Sequence, residues 1–358
     1  MGKRNAQTLI IAPLDWGWGH ATRILPLISW LKTEYHVIVA VPKRLHFQYQ
    51  SLGVDIRTVP GYAIKYHNCP LWLSLFWQLP RLITVTVRTR FAVRKIVKKY
   101  APSVIISDNR PFFRHRSVPS IYMTHQLQIL HSNRFVKRTM NFFHHRFIKQ
   151  FNACWVPDSE DHFFAGELSE AQVSVPVHFI GGLSRFMLNT SSANNVGTYK
   201  KICILSGPEP KRSNWKKRMI AHWKNTPQSI IIGALPELGN MYPSGKVMLA
   251  GHLPDSIFAE LVSGADLVVA RSGYTTIMDL LWLRHSAVII PTPGQTEQEY
   301  LAQWHHNKHF IAEKEEIFYG GNSTSELVIE NIKSKFCSKQ VITHLLQNLQ
   351  LAPVRNPQ

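Results

Sequence analysis

Apolar residues in this chain fall into short dense runs separated by polar turns. Thr8 to Pro13, Tyr35 to Val41, Asp55 to Val59, Ser103 to Ser107, Val118 to Tyr122 and Ala153 to Val156 read as buried strands. Ala21 to Thr33 reads as a helix, and basic segments of helical period separate the later strands. Short, nearly continuous apolar runs mark strands covered on both faces, as a parallel sheet requires. Strands that alternate with helices wind such a sheet on both sides. The small polar segment Ser191 to Gly197 interrupts the alternation and is the best linker. The pattern then restarts at Lys201–Ser206, Ser229–Ile232, Lys246–Ala250, Leu267–Ala270 and Ala287–Ile290. Two doubly wound α/β domains are therefore predicted, residues 1–185 and 198–325, facing a cleft at their strand carboxyl ends. The last stretch, residues 326–358, reads as helical as far as Leu351.

Length agrees with two domains, since 358 residues exceed one typical core. Cys69, Cys154, Cys203 and Cys337 are far apart and form no CxxC pair, which argues against a zinc site or disulfide framework and fits a reducing, cytoplasmic compartment. The first apolar run is too short for a secretory core, and no apolar stretch is long enough to span a bilayer. Charge changes the picture more. Residues 1–180 carry 23 Lys and Arg against 9 Asp and Glu, while the rest carry 18 against 13. Between Arg57 and Pro157 there are 17 basic residues and one acid, Asp108. Such a field attracts a polyanion, either nucleic acid or an anionic membrane surface.

The densest chemistry lies between Asp266 and Glu299. A strand ends in Arg271-Ser272-Gly273, and the helical pattern Thr275–Leu283 follows, with Asp279 about one turn in. A strand feeding a glycine turn and a helix N-terminus offers free N–H groups and a partial positive charge to a phosphate. Thr275 and Thr276 open that helix, and Asp279 is placed to accept hydrogen bonds from a ribose. The next strand leads into a Pro-Gly loop that delivers Gln298 and Glu299 to a sugar. Upstream, Ser206-Gly207 after the strand KICIL forms a second phosphate-loop candidate. It has neither GxGxxG nor the Walker Lys-Ser/Thr pair, so a dinucleotide fold and an ATPase are unsupported.

These residues resemble the donor-binding segment of glycosyltransferase family 28, which includes the peptidoglycan N-acetylglucosaminyltransferases. The resemblance implies the GT-B architecture, with Asp279 on the ribose, Gln298 and Glu299 on the sugar, Ser206-Gly207 facing the diphosphate, and His252-Leu253 gripping the nucleobase. Asp stands where the family usually has Glu at 279, and Glu replaces the second Gln at 299. The first change preserves the ribose role; the second leaves the sugar open. The resemblance also implies that the last helices pack back on the first domain.

The other motif is IIAPLDWGWGHATR. Trp16-Gly17-Trp18-Gly19 lets the backbone approach a ligand closely, and His20 opens a helix with Arg23 on its first turn. Transfer to a hydroxyl needs a base, and histidine titrates near neutrality. The family loop also ends in Gly-His. Trp16, Trp18, Arg23 and His125 are acceptor candidates, and the alternative for His20 is a helix cap. Asp108 ends the strand VIISD and either orients a histidine or serves as the base itself. The bland alternative is a salt bridge to Arg110 or Arg114. Trp72, Phe76 and Trp77 precede a run of Arg and Lys, and RFVKRTMNFFHHRFIKQF repeats the mixture of Phe and bases. Both fit a surface-lying membrane element or core helices, and with the charge asymmetry the expectation is peripheral contact with an anionic membrane surface, on its cytoplasmic face.

The expectation is an inverting hexosyltransferase using a nucleotide diphosphate sugar, most simply UDP-linked, on a hydroxyl acceptor that is lipid-linked or of the cell envelope. No DxD motif is present, so helix termini and cations rather than a metal would neutralise the leaving diphosphate, and no cofactor is expected. One rival is a nucleotide-sugar 2-epimerase, which needs further carboxylates for proton abstraction. The other is a polyanion-binding protein without catalysis; no aromatic-basic RNA motif supports nucleic acid as the partner.

Overall fold

The computed structural model describes residues 7–15, 18–62, 71–188, 199–234, 239–320, 327 and 329–351; the side chains of 71–77, 320, 350 and 351 fall outside that description. The expected linker, Ser191–Gly197, lies outside the described residues. The chain forms two compact units. One holds the described residues to Tyr62, Trp72–Leu183 and Ser334 onward; the other holds Ser184–Lys333.

In the first unit the strands are β1 (Thr8–Pro13), β2 (His36–Val41), β3 (Asp55–Thr58), β4 (Val104–Asp108), β5 (Ser120–Met123), β6 (Ala153–Val156) and β7 (Val177–Phe179). They pair in parallel in the order β3-β2-β1-β4-β5-β6-β7. The helices are α1 (Gly19–Arg23), α2 (Leu25–Leu31), α3 (Phe47–Gln50), α4 (Leu71–Tyr100) and α5 (Arg134–Ile148). Ile10, Ala12, Ile38, Ala40 and Ile105 form one buried face, against which Val93 and Ile96 of α4 pack. Each such fully buried Ile or Val contributes about 1.5–3 kcal/mol. Helix α4 stops where Ala101 turns left-handed (φ 41°) and Pro102 cannot continue the helical bonding.

The second unit contains β8 (Lys201–Ile204), β9 (Ser229–Ile232), β10 (Met241–Ser244), β11 (Val247–Ala250), β12 (Leu267–Ala270), β13 (Val288–Ile289) and β14 (Ile311–Ala312). Their order is β10-β11-β9-β8-β12-β13-β14, with β10 antiparallel to β11 and the other pairs parallel. Helices α6 (Lys211–Trp223), α7 (Asp255–Ser263), α8 (Tyr274–Trp282), α9 (Thr296–His305) and α10 (Glu315–Gly320) accompany it. Trp215 and Met219 of α6 fill the core against Cys203, Ile231 and Val269.

The helical reading of residues 326–351 needs correction. Among the described residues, the α-helix there is α11 (Lys339–Leu351) alone. Just before it the backbone bonds to Gly182 instead of to itself: Gly182 N–H donates to Lys335 O at 3.1 Å, and Cys337 N–H donates to Gly182 O at 2.9 Å. Gly181 permits this approach, because a Cβ there would lie 2.6 Å from the Cys337 nitrogen and φ is +84°. Lys339 then pairs with Glu34 at 2.7 Å and fastens α11 to the first unit.

Candidate functional site

In each sheet the chain leaves a central strand and returns on its other side, and such switch points are where ligands bind in α/β sheets. In the first unit the switch lies between β1 and β4, whose carboxyl ends are in register at Pro13 and Asp108. His20 and Arg23 leave β1 on α1, Asp108 ends β4, and His125 follows β5. His20 Nδ1 lies 3.0 Å from Asp108 Oδ2. Arg23 Nε donates to the same oxygen at 3.2 Å, and its Nη2 donates to Oδ1. Arg23 Nη1 lies 3.1 Å from His125 Nδ1. Asp108, Arg23 and His125 are buried, whereas the His20 side chain keeps 15% exposure.

The electrostatics follow from this geometry. Burial, the Arg23 charge and His125 push the His20 pKa below 6.5, outweighing the carboxylate that raises it. Burial alone would raise the Asp108 pKa, but the charges and hydrogen bonds of Arg23 and His20 hold it below the usual carboxylate range. The pair at neutral pH is thus a neutral imidazole on a carboxylate. Since a carboxylate only accepts, Nδ1 carries the hydrogen and Nε2 keeps its lone pair.

Three readings change here. Asp108 pairs with neither Arg110 nor Arg114. Left-handed backbone at Asn109 (φ 54°) turns the chain, and Arg110 donates to Pro60 O at 2.7 Å. His20 is not the helix cap; Trp18 holds that position, with no side-chain cap bond. Arg23 and His125, read as acceptor candidates, are buried and meet inside the unit, where Arg23 also holds Asp108. Trp18 is 40% exposed and meets Phe47, 41% exposed, edge to face at 5.4 Å. Gly19 opens α1; Trp16 and Gly17 lie outside the described residues.

In the second unit the switch lies between β8 and β12. Ser206 and Gly207 follow β8, Gly207 with φ +103° and, among the described residues, only Thr292 Oγ1 near its missing Cβ, at 3.8 Å. Ser272 and Gly273 follow β12. Gly273 is the N-cap of α8 in extended backbone and makes no side-chain cap bond, and the first turn holds Thr275 and Thr276. Ser272 Oγ donates to Gln298 O at 2.7 Å, joining this turn to α9. Gln298 Oε1 accepts from Thr292 N at 2.9 Å, and Glu299 Oε1 from Gly294 N at 2.8 Å. One oxygen of each side chain thereby shapes the Pro-Gly loop. Lys211 and Arg212, which sequence reasoning passed over, open α6 beside these loops: Lys211 Nζ donates to Pro293 O at 2.6 Å and Arg212 Nη2 to Gly233 O. Their position directly after SGPEP was the available signal. His252, past β11, has its pKa lowered by burial and by Arg212 and Arg185, and Leu253 beside it is half-buried.

Two donor candidates are already engaged. Asp279, 6% exposed, accepts from Ser184 Oγ at 2.6 Å and pairs with Arg185 at 3.3 Å; burial raises its pKa to about 6 against the pull of Arg185. Arg271 is likewise engaged within the protein. It is 2% exposed, pairs with Glu315 at 3.0 Å, donates to Ile290 O and Pro291 O, and stacks 4.0 Å from the Trp215 ring. A buried guanidinium must satisfy its charge and its donors locally, and Glu315 does so. Among the described residues no three His, Cys, Asp or Glu side chains are arranged to hold a metal ion, and no described helix is long and apolar enough to cross a membrane.

Comparisons with known proteins agree with this layout. Residues 255–343 match the glycosyltransferase family 28 C-terminal domain. No curated protein matches the chain as a sequence. Among solved structures, the glycotransferase of kitacinnamycin superposes with a TM-score of 0.61 at 13% identity, covering 98% of this chain and 92% of that one. UGT89C1 of Arabidopsis thaliana, complexed with UDP-L-rhamnose, gives 0.61 at 11% over 97% and 100%. The spinosyn rhamnosyltransferase SpnG, complexed with thymidine diphosphate, gives 0.56 at 14% over 97% and 94%. At such identities the likeness is one of fold, and the fold is GT-B.

Proposed function

We propose that this chain, a glycosyltransferase of GT-B fold with a family 28 C-terminal domain, moves a hexosyl group from a nucleotide diphosphate sugar to a hydroxyl, with inversion and without a metal. The observation that carries the reading is the dyad: a neutral His20 held through Nδ1 by buried Asp108, with Nε2 unbonded to the described protein. Nε2 removes the proton from the acceptor hydroxyl as that oxygen attacks the anomeric carbon. Asp108 keeps the tautomer and stabilises the imidazolium that forms. It is not itself the base, because Arg23 already takes both of its oxygens.

The second unit receives the donor. The positive end of the α8 dipole, the Ser206-Gly207 turn and the cations of Lys211 and Arg212 favour the diphosphate, most as charge builds on the leaving group. Asp279 serves the ribose once released from Ser184 and Arg185. Gln298 Nε2 and Glu299 Oε2, which hold no part of the Pro-Gly loop, serve the sugar. The complexes of UGT89C1 and SpnG with UDP-L-rhamnose and thymidine diphosphate support a uracil or thymine nucleotide.

A lipid-linked acceptor at an anionic membrane completes the reading. Leu79, Ile83, Val87 and Phe91 recur every fourth residue on α4, each 45–57% exposed, and α5 exposes Phe135 (79%), Phe142 (63%) and Phe143 (54%). Both helices carry Arg and Lys and no acid. Apolar side chains among cations fit a negatively charged bilayer face. Trp72, Phe76 and Trp77, first expected to make this contact, have side chains outside the described residues.

The test is a screen of UDP-, TDP- and GDP-sugars for donor hydrolysis and transfer, run on wild type and His20→Ala. Hydrolysis of a pyrimidine-nucleotide sugar is expected, with kcat falling about 10²–10⁴-fold in the variant and nucleotide affinity nearly intact. Appearance of a C2-epimerised nucleotide sugar would establish the 2-epimerase instead.

A further inference from the structure

We propose that Arg23 is a positioning residue for His20: its guanidinium fixes Asp108 and His125 around the imidazole and cancels the carboxylate charge that the imidazole would otherwise feel. The inference rests on the proposed role of His20 as base. Arg23 lies three residues after His20 on α1, so the two side chains share a face. Its fork takes both oxygens of Asp108, one of which His20 Nδ1 also shares. The remaining arm reaches His125 Nδ1. A guanidinium has only donors, so His125 Nδ1 must accept, which fixes that ring with its hydrogen on Nε2. α1 is in turn pinned by Tyr49 of α3, whose hydroxyl donates to Ala21 O at 2.9 Å. Asp108 and His125 are thus both held beside His20 by one buried cation.

The consequence is electrostatic. A histidine beside a lone carboxylate holds its proton more tightly and fills up as pH falls through neutrality. Here burial leads, and Arg23 opposes Asp108, so the His20 pKa moves down rather than up. The charged or titratable groups around it are Asp108 from β4, Arg23 from α1 and His125 after β5. Tyr49 and Tyr122, also near Asp108, are driven far up by burial and stay neutral. Burial first, and Arg23 after it, therefore favour the unprotonated imidazole against the carboxylate that would charge it.

The experiment compares wild type, Arg23→Met and Arg23→Lys. His20 is followed by imidazole NMR, its signal identified by loss in His20→Gln, and kcat is read from UDP-glucose hydrolysis across pH. Arg23→Met should raise the pH at which His20 titrates and carry the acid limb of kcat/KM upward with it. Arg23→Lys keeps the charge without the fork, so His20 should titrate low while kcat falls about 10²-fold, the order expected for a misplaced catalytic group. Should Arg23→Met fail to fold, that dissociation in Arg23→Lys carries the test. Identical His20 titration in folded Arg23→Met, or wild-type kcat in both variants, would overturn the proposal. If His20→Gln hydrolyses UDP-glucose at full rate while Arg23→Met still shifts the titration, the base assignment falls and the charge role of Arg23 stands.

Discussion

Replacing Asp279 by Asn should make the protein more stable and worse at binding its donor. A pKa raised from 3.8 to about 6 means that ionising this carboxyl costs the folded chain about 3 kcal/mol more than the unfolded one. Burial is the leading cause, and the Arg185 ion pair at 3.3 Å with the Ser184 bond at 2.6 Å offsets only part of it. The sign is that of a raised acid. Well below pH 3.8 the group is protonated in both states and costs nothing; the cost grows as pH rises from there towards 6 and is complete above it. Asn keeps the shape and can still accept from Ser184 Oγ, so it reproduces the protonated form at every pH. Wild type and Asp279→Asn should therefore have nearly equal stability near pH 4 and differ by up to about 3 kcal/mol at pH 8, with the variant ahead. For a unit of this size each kcal/mol moves Tm by about 2–4 °C.

A carboxylate kept ionised in the fold at such cost has a reason to be there, and perturbed groups cluster at functional sites. If that reason is the ribose, UDP binding by calorimetry should weaken by about 1.5–3 kcal/mol in the variant, the worth of hydrogen bonds to a charged group. The assay is thermal unfolding from pH 4 to 8 paired with UDP titration at pH 8. A variant less stable than wild type at pH 8, with unchanged UDP affinity, would refute the reasoning and leave Asp279 as the anchor of Arg185 alone.

Two further outcomes follow from the proposed chemistry. Sugar transfer should persist in EDTA, and complete loss on chelation that Mg²⁺ or Mn²⁺ restores would defeat the claim that α8, Lys211 and Arg212 neutralise the leaving diphosphate. The protein should float with phosphatidylglycerol vesicles and not with phosphatidylcholine vesicles, each Lys or Arg near the surface adding about 1 kcal/mol. The triple variant Phe135→Ser, Phe142→Ser, Phe143→Ser should lose the part of that binding that survives high salt, and retention of all of it would remove α5 from the interface.

What the sequence disclosed and what it hid divide along a physical line. β1, β6, β9 and β12 have the bounds read from the sequence, because their residues are almost all buried and form apolar runs. β7, β10 and β14 were not read. They lie at or near sheet edges, where Val177–Phe179 is half-buried, Met241–Ser244 is largely exposed and contains Pro243, and β14 is two residues long. An edge strand needs no apolar run, so it leaves none to read. The same line runs through the sites. Asp108 stood out as one acid among 17 bases, and its place at a strand end was legible. Its cation was not: Arg110 and Arg114 are nearer in sequence, yet Arg23, 85 residues away, closes on it. The partner of Arg271, a residue of the candidate donor turn, was equally hidden, since Glu315 lies 44 residues on. Charge in a buried site is settled by whichever counter-ion the fold delivers, and chain distance does not encode that. In this protein Arg23 and Arg271 each serve a carboxylate that lies far along the chain, which is why neither partner could be read from the residues beside it.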